Sequence, residues 1–118
     1  MPAITITQPA AYKLGSTWRF THRRKQPDGS PVDLTGLAVR AMFRIGSVEG
    51  DVLATLTEGD GLTIDAAAGE TAMEIDAETS ATAPPNSWVF FDIEMTAVDG
   101  HVWQSSTYRF KTEAEVTV

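Results

Sequence analysis

Apolar and polar residues alternate in short runs along this chain, and turn residues interrupt them at short intervals. Asp28-Gly29, Thr35-Gly36, Glu49-Gly50, Asp60-Gly61, Ala68-Gly69, Pro84-Pro85-Asn86 and Asp99-Gly100 mark the reversals. Between them lie segments rich in Thr, Val, Ile, Phe and Trp, residues that fit a pleated surface. No segment carries the three-turn periodicity of an amphipathic helix. The pattern predicts an all-β chain, a sandwich or barrel of short strands.

Strands are expected at Ala3–Gln8, Ser16–Lys25, Ala38–Ile45, Val52–Thr57, Leu62–Asp65 and Thr71–Asp76. The strands from Val52 onward read as hairpin ladders. Glu78–Ala83 is expected to make one helical turn before the double proline. Ser87–Ala97 follows as a long strand, and Asp99-Gly100 fits a two-residue hairpin returning into His101–Phe110. Glu113–Val118 can close an edge. Alternation aims Trp18 and Phe20 inward, then Val39, Ala41, Phe43 and Ile45, then Leu62, Ile64, Met73 and Ile75. Val89, Phe91, Ile93 and Met95 form a further stripe, with Trp88, Phe90, Asp92 and Glu94 on its reverse. Met42 is an apolar residue on a polar face.

At 118 residues the chain is one domain, residues 1–118, with a core of ordinary size. It has no cysteine, so disulfides and thiolate chemistry are excluded. No apolar run approaches the roughly 18 residues of a membrane span. Met1–Thr5 has neither the basic nor the apolar region of a secretory signal. The formal net charge is −7, which argues against nucleic-acid and anionic-membrane partners. Residues 1–45 hold seven Lys and Arg against two acids; residues 46–118 hold two against fourteen. Either strands from both halves interleave and mix these charges, or the domain has a basic and an acidic side suited to head-to-tail docking.

Candidate chemistry is sparse. His22 and His101 show no metal-ligand spacing and are expected to be solvated or partly buried strand histidines. Ser105 and Ser106 lack a nucleophile-elbow context, and there is no phosphate-binding glycine loop. Glu58-Gly59-Asp60-Gly61 lacks the ligand density of a calcium loop. Asp92 and Glu94 share a strand face and motivate a small-enzyme reading, although a solvated face or ion pairs with Arg40 and Arg44 explain them as well. His22-Arg23-Arg24-Lys25 is the one basic run, better suited to an acidic neighbouring subunit than to a phosphate backbone. Trp18 is expected in the core. Trp88 and Phe90 either lie under a second layer or form an exposed patch of the kind that marks an interface. Trp88 and Trp103 could alternatively serve as sugar-stacking platforms of a carbohydrate-binding β-sandwich. No metal, cofactor or catalytic residue is expected. The interface candidates are Trp88, Phe90, Arg23, Arg24 and Lys25.

The order of several motifs resembles small virion proteins of tailed bacteriophages, related to the N-terminal immunoglobulin-like domain of siphophage upper baseplate proteins. The resemblance rests on Gly15-Ser16-Thr17-Trp18, the hairpin Asp28-Gly29-Ser30-Pro31-Val32, Asp33-Leu34-Thr35-Gly36 and the strand Val39–Arg44. It continues with Ala68-Gly69 before a Thr-led strand, the aromatic and acidic strand Trp88–Met95, and the hairpin Asp99-Gly100. It covers roughly residues 4 to 118. The family usually has Asp where this chain has Ser16, so no role for an acid there carries over. The chain is expected to end with the domain, so the receptor-reaching arm of baseplate proteins does not carry over either. The resemblance implies an immunoglobulin-like β-sandwich of about seven to nine antiparallel strands. It also implies a virion structural protein, made in the host cytoplasm and present in several copies or as a homo-oligomer. Its partners would be other phage structural proteins, and its Asp28–Gly36 segment would be structural.

Overall fold

A computed structural model describes residues 12–114. The expected strand Ala3–Gln8 lies outside them, as does the expected closing edge beyond Ala114. Glu113 itself makes a parallel bridge to Lys13.

Eight strands and a short helix follow one another: β1 Trp18–Arg23, β2 Ala38–Ile45, β3 Asp51–Glu58, β4 Gly61–Asp65, β5 Glu70–Ile75, α1 Ala77–Ser80, β6 Trp88–Thr96, β7 Val102–Gln104 and β8 Tyr108–Lys111. They form one curled sheet in the order β1-β5-β4-β3-β2-β6-β7, with β8 also paired to β6. The sheet folds over so that β1, β5 and β4 pack on the layer formed by β3, β2, β6, β7 and β8. The fold is an immunoglobulin-like β-sandwich, as expected.

Alternation decides which residues meet between the layers. Trp18 and Phe20 of β1 are buried, as are Phe43 of β2, Phe91 of β6 and Phe110 of β8. The Phe20 ring lies 5.6, 5.3 and 5.3 Å from Phe43, Phe91 and Phe110, and Trp18 meets Phe110 edge-on at 5.4 Å. Each such side chain contributes roughly 1.5–3 kcal/mol on burial, so this aromatic cluster is the main tie between the layers. Leu34, in the turn where Asp33 accepts from the Thr35 amide and hydroxyl, seals one flank at 1% exposure.

Four details differ from the sequence expectation. First, β3 and β4 are not a hairpin. They pair in parallel over only Thr57↔Gly61 and Glu58↔Leu62, because the chain passes there from one layer to the other. Gly61 has φ +85°, and a Cβ would sit 2.7 Å from Leu56 Cδ2 and 3.0 Å from the Glu74 carbonyl, so the crossing needs glycine. Second, the expected strand His101–Phe110 is broken at Ser105–Thr107. Ser105 keeps the ladder with its hydroxyl, which accepts from Ile93 N at 2.9 Å, while Ser105 N donates to Ile93 O. Short hydroxyl side chains compete with backbone pairing in this way. Third, the Asp99-Gly100 reversal is a three-residue loop. Ala97 N donates to His101 O, Gly100 N donates to Ala97 O, and Gly100 takes φ +91°. Fourth, β5 stops one residue early because Asp76 caps α1, accepting from Thr79 N at 2.7 Å.

Candidate docking face

The outer face of the β3–β2–β6–β8 layer is open among the described residues. Register fixes what it presents. Opposite residues of an antiparallel pair share a face, so Arg40↔Glu94, Met42↔Asp92 and Arg44↔Phe90 line up across β2 and β6. Phe90↔Arg109 and Trp88↔Lys111 continue the rows into β8, and Val52 extends the Arg44 row into β3. The result is a band of Val52, Met42, Phe90 and Trp88 flanked by Arg40, Arg44, Arg109 and Lys111. Only Asp92 and Glu94 are acidic within it.

Trp88 is 40% exposed and Val48, above the same face, 60%. The Arg109 guanidinium lies 4.3 Å from the centre of the Trp88 ring and the Lys111 ammonium 5.8 Å away. Such cation–π contacts contribute about 0.5–1 kcal/mol each for exposed partners. A shallow groove of about 220 Å³ runs beside it, between Arg40, Met42, Arg44, Val48 and Phe90. The other charges are engaged. Arg40 pairs with Glu94 at 3.1 Å, Gln104 donates to Glu94 at 3.2 Å, and Arg44 donates to the Gly50 carbonyl at 2.9 Å. Partial burial, together with the neighbouring Glu94, pushes the Asp92 carboxyl above its usual range, against the pull of Arg40 and Arg44.

The other sequence candidates lie elsewhere. Arg23 points outward from β1 and pairs with Glu70 of β5 at 2.7 Å. Arg24 turns back to the rim of the core. It stacks on Trp103 at 4.2 Å, donates to Met95 Sδ at 3.7 Å, and is lowered in pKa by burial. Lys25 is half-buried beside its bridge to Pro31. The core separates Arg23 from Trp88 and Phe90, so the five interface candidates do not form one patch. Trp103 pairs with Met95 on the inner face of β6, opposite to Trp88. The two indoles therefore do not make a joint sugar-stacking surface. The charged halves of the chain do mix, through Arg19–Glu74, Arg23–Glu70 and Arg40–Glu94.

His22 is neither solvated nor partly buried, but 1% exposed. Its ring lies 5.9 Å from Trp103 and 6.2 Å from Tyr108. Among the described residues neither ring nitrogen has a hydrogen-bond partner, and Thr71, directly across the β1–β5 pair, is buried with its hydroxyl likewise unpaired. Desolvation, aided by the Arg24 charge, lowers its pKa to about 4. The inward stripe Trp18, Phe20, His22 was the sequence signal for this burial. Among the described residues no three His, Cys, Asp or Glu are placed to hold a metal ion. Asp60 of the Glu58–Gly61 segment instead lines a groove between β3 and β5. Sequence reasoning missed Arg109 and Lys111, whose link to Trp88 is visible only once β8 is set beside β6.

No family model and no curated protein matches the sequence. Several solved structures resemble it. MtrC from Shewanella baltica OS185 aligns with TM-score 0.50 at 12% identity, over 98% of this chain and 22% of that one. Murine CRIg aligns with TM-score 0.49 at 8% identity over 98% of both chains. CopC from Methylosinus trichosporium OB3b aligns with TM-score 0.46 at 13% identity, over 98% of this chain and 99% of that one. At these identities the likeness is one of fold, and folds of this kind host many unrelated functions.

Proposed function

We propose that this chain is a structural protein of a tailed-phage particle that assembles by docking the outer face of β2, β6 and β8 on another protein of the particle. The observation that carries the docking is Trp88, an indole 40% exposed and flanked by Arg109 and Lys111 on the outer sheet face. Trp and Arg are the residues that dominate binding energy at protein interfaces. The apolar band of Val48, Val52, Met42 and Phe90 around them is the kind of contiguous patch that a docked partner covers. The particle assignment is supported by the ordered motifs from Gly15-Ser16-Thr17-Trp18 to Asp99-Gly100.

The test is co-sedimentation. Tagged chain is produced during particle assembly and the particles are purified on a density gradient. Wild-type chain should travel with the particles, and Trp88→Ala should weaken incorporation by about 30-fold, the effect of losing a hot spot worth ~2 kcal/mol. Chain that never enters particles overturns the particle assignment. Incorporation unchanged by Trp88→Ala overturns the docking face.

A further inference from the structure

The molecule carries a second surface whose chemistry is the converse of the Trp88 face. Among the described residues, β3 is paired with β2 alone along Asp51–Leu56, so its other side is a strand edge among them. A groove of about 330 Å³ opens there, between β3 and the end of β5 with α1. Leu53, Leu56 and Ile75 give it apolar walls, and Asp60, Glu74 and Asp76 line it with carboxylates. Among the described residues no Lys or Arg lines it. Glu74 is paired with Arg19, and Asp76 Oδ1 is held by the Thr79 amide. Asp60 has no ion-pair partner among the described residues. Arg109 and Lys111, on the Trp88 face, likewise pair with no carboxylate among them.

We infer that the Trp88 face of one copy docks into the Asp60–Glu74–Asp76 groove of a second copy. This rests on the docking face proposed above and names its partner. The Trp88 indole with its two cations is exposed on the outer sheet face, whereas the acidic site is a groove with apolar walls. An indole fits such walls, and Arg109 and Lys111 would meet the carboxylates at the rim. The two surfaces differ and lie on different parts of the sandwich, so the contact is heterologous. Copies joined this way form a closed ring or an open filament, according to the rotation between neighbours. Because Arg109 and Lys111 meet carboxylates in this contact, salt weakens it as the screening length shrinks from about 30 Å at 0.01 M to about 3 Å at 1 M.

Sedimentation velocity on the purified chain tests this with two complementary variants. Arg109→Glu with Lys111→Glu disables the cationic face, and Asp60→Lys with Glu74→Lys disables the groove. All four positions are exposed, and circular dichroism checks that each variant is folded; Lys111→Glu and Asp60→Lys alone serve as milder versions. Wild type should associate with rising concentration and dissociate with salt, and each variant should be monomeric. Mixing the two should restore association, through the intact face on the intact groove and through the charge-reversed face on the charge-reversed groove. Wild type that stays monomeric at low salt overturns the inference. So does a wild-type dimer that the mixed variants fail to restore, because that outcome identifies a two-fold contact. In either case, particle incorporation that is lost in Trp88→Ala leaves the docking face standing, with a different protein as its partner.

Discussion

Two arginine–tryptophan stacks occupy this small sandwich, and they do different work. Arg24 lies 4.2 Å from the Trp103 ring and Arg109 lies 4.3 Å from the Trp88 ring, so the local geometry is nearly the same. Trp103 faces inward beside Met95 and is half-buried against the core, with His22 behind it. Trp88 faces outward beside Lys111. The first stack closes the rim of the core and excludes water from His22. The second stands in solvent and is available to a partner. Burial, rather than the pair itself, decides whether such a stack is structural.

The comparison is broken most severely by removing the indoles. Trp103→Ala should destabilise the domain by about 3 kcal/mol, through lost burial and the cavity left beside His22. Trp88→Ala should change stability by less than about 1 kcal/mol, the scale of exposed cation–π contacts. Urea denaturation of the two variants measures both, and equal losses would refute the distinction.

His22 sharpens the buried side. Its folded-state pKa of about 4 lies below the ordinary 6.5, so between those values the unfolded chain binds a proton that the folded chain does not. Above pH 6.5 the imidazole is neutral in both states, and protonation adds no penalty to folding. Stability should fall as pH drops from 6.5 towards 4, with no further loss from this residue below that. At about 1.4 kcal/mol per pKa unit the full loss is on the order of 3 kcal/mol. Denaturation midpoints followed across that window should show the slope, and His22→Leu should flatten it. An unchanged slope in the variant would assign it to other groups.

The arginines give a smaller contrast. Arg24→Ala removes the cover of Trp103 and the contact to Met95 Sδ, and should cost about 1–2 kcal/mol with little salt dependence. Arg109→Ala should cost at most about 0.5 kcal/mol, the scale of an exposed surface substitution. Thermal melts at low and high salt distinguish the two. The smallest effect is optical. Acrylamide should quench Trp88 strongly and Trp18, at 0% exposure, hardly at all.

Much of the fold was legible in the sequence because period-two alternation is a local property. Ala38–Ile45 was expected with the bounds it has, and the inward stripe Val89, Phe91, Ile93 and Met95 is buried as alternation required. The β3–β4 crossing was not legible. A Gly-flanked Asp between two short strands reads as a hairpin, and only the layer each strand joins reveals a switch. The break at Ser105 was hidden for a related reason, since the hydroxyl bond to Ile93 depends on a strand twelve residues away. At the candidate site, Trp88 and Phe90 were marked by their strand alone. The basic run Arg23–Lys25 was not the surface it resembled, because Glu70 and Trp103 reach two of its side chains from distant strands.

By itself the sequence determined an all-β fold, the inner faces of β1, β2, β4, β5 and β6, and the opposition of an aromatic–acidic reverse to the apolar stripe of Trp88–Met95. These follow from covalent alternation, in which neighbouring side chains take opposite faces whatever the strand pairs with. Tertiary structure alone decided which tryptophan is covered, which cations stand beside Trp88, and that an acidic groove opens along β3. Those outcomes depend on strand register and sheet order, which bring together residues far apart in the chain.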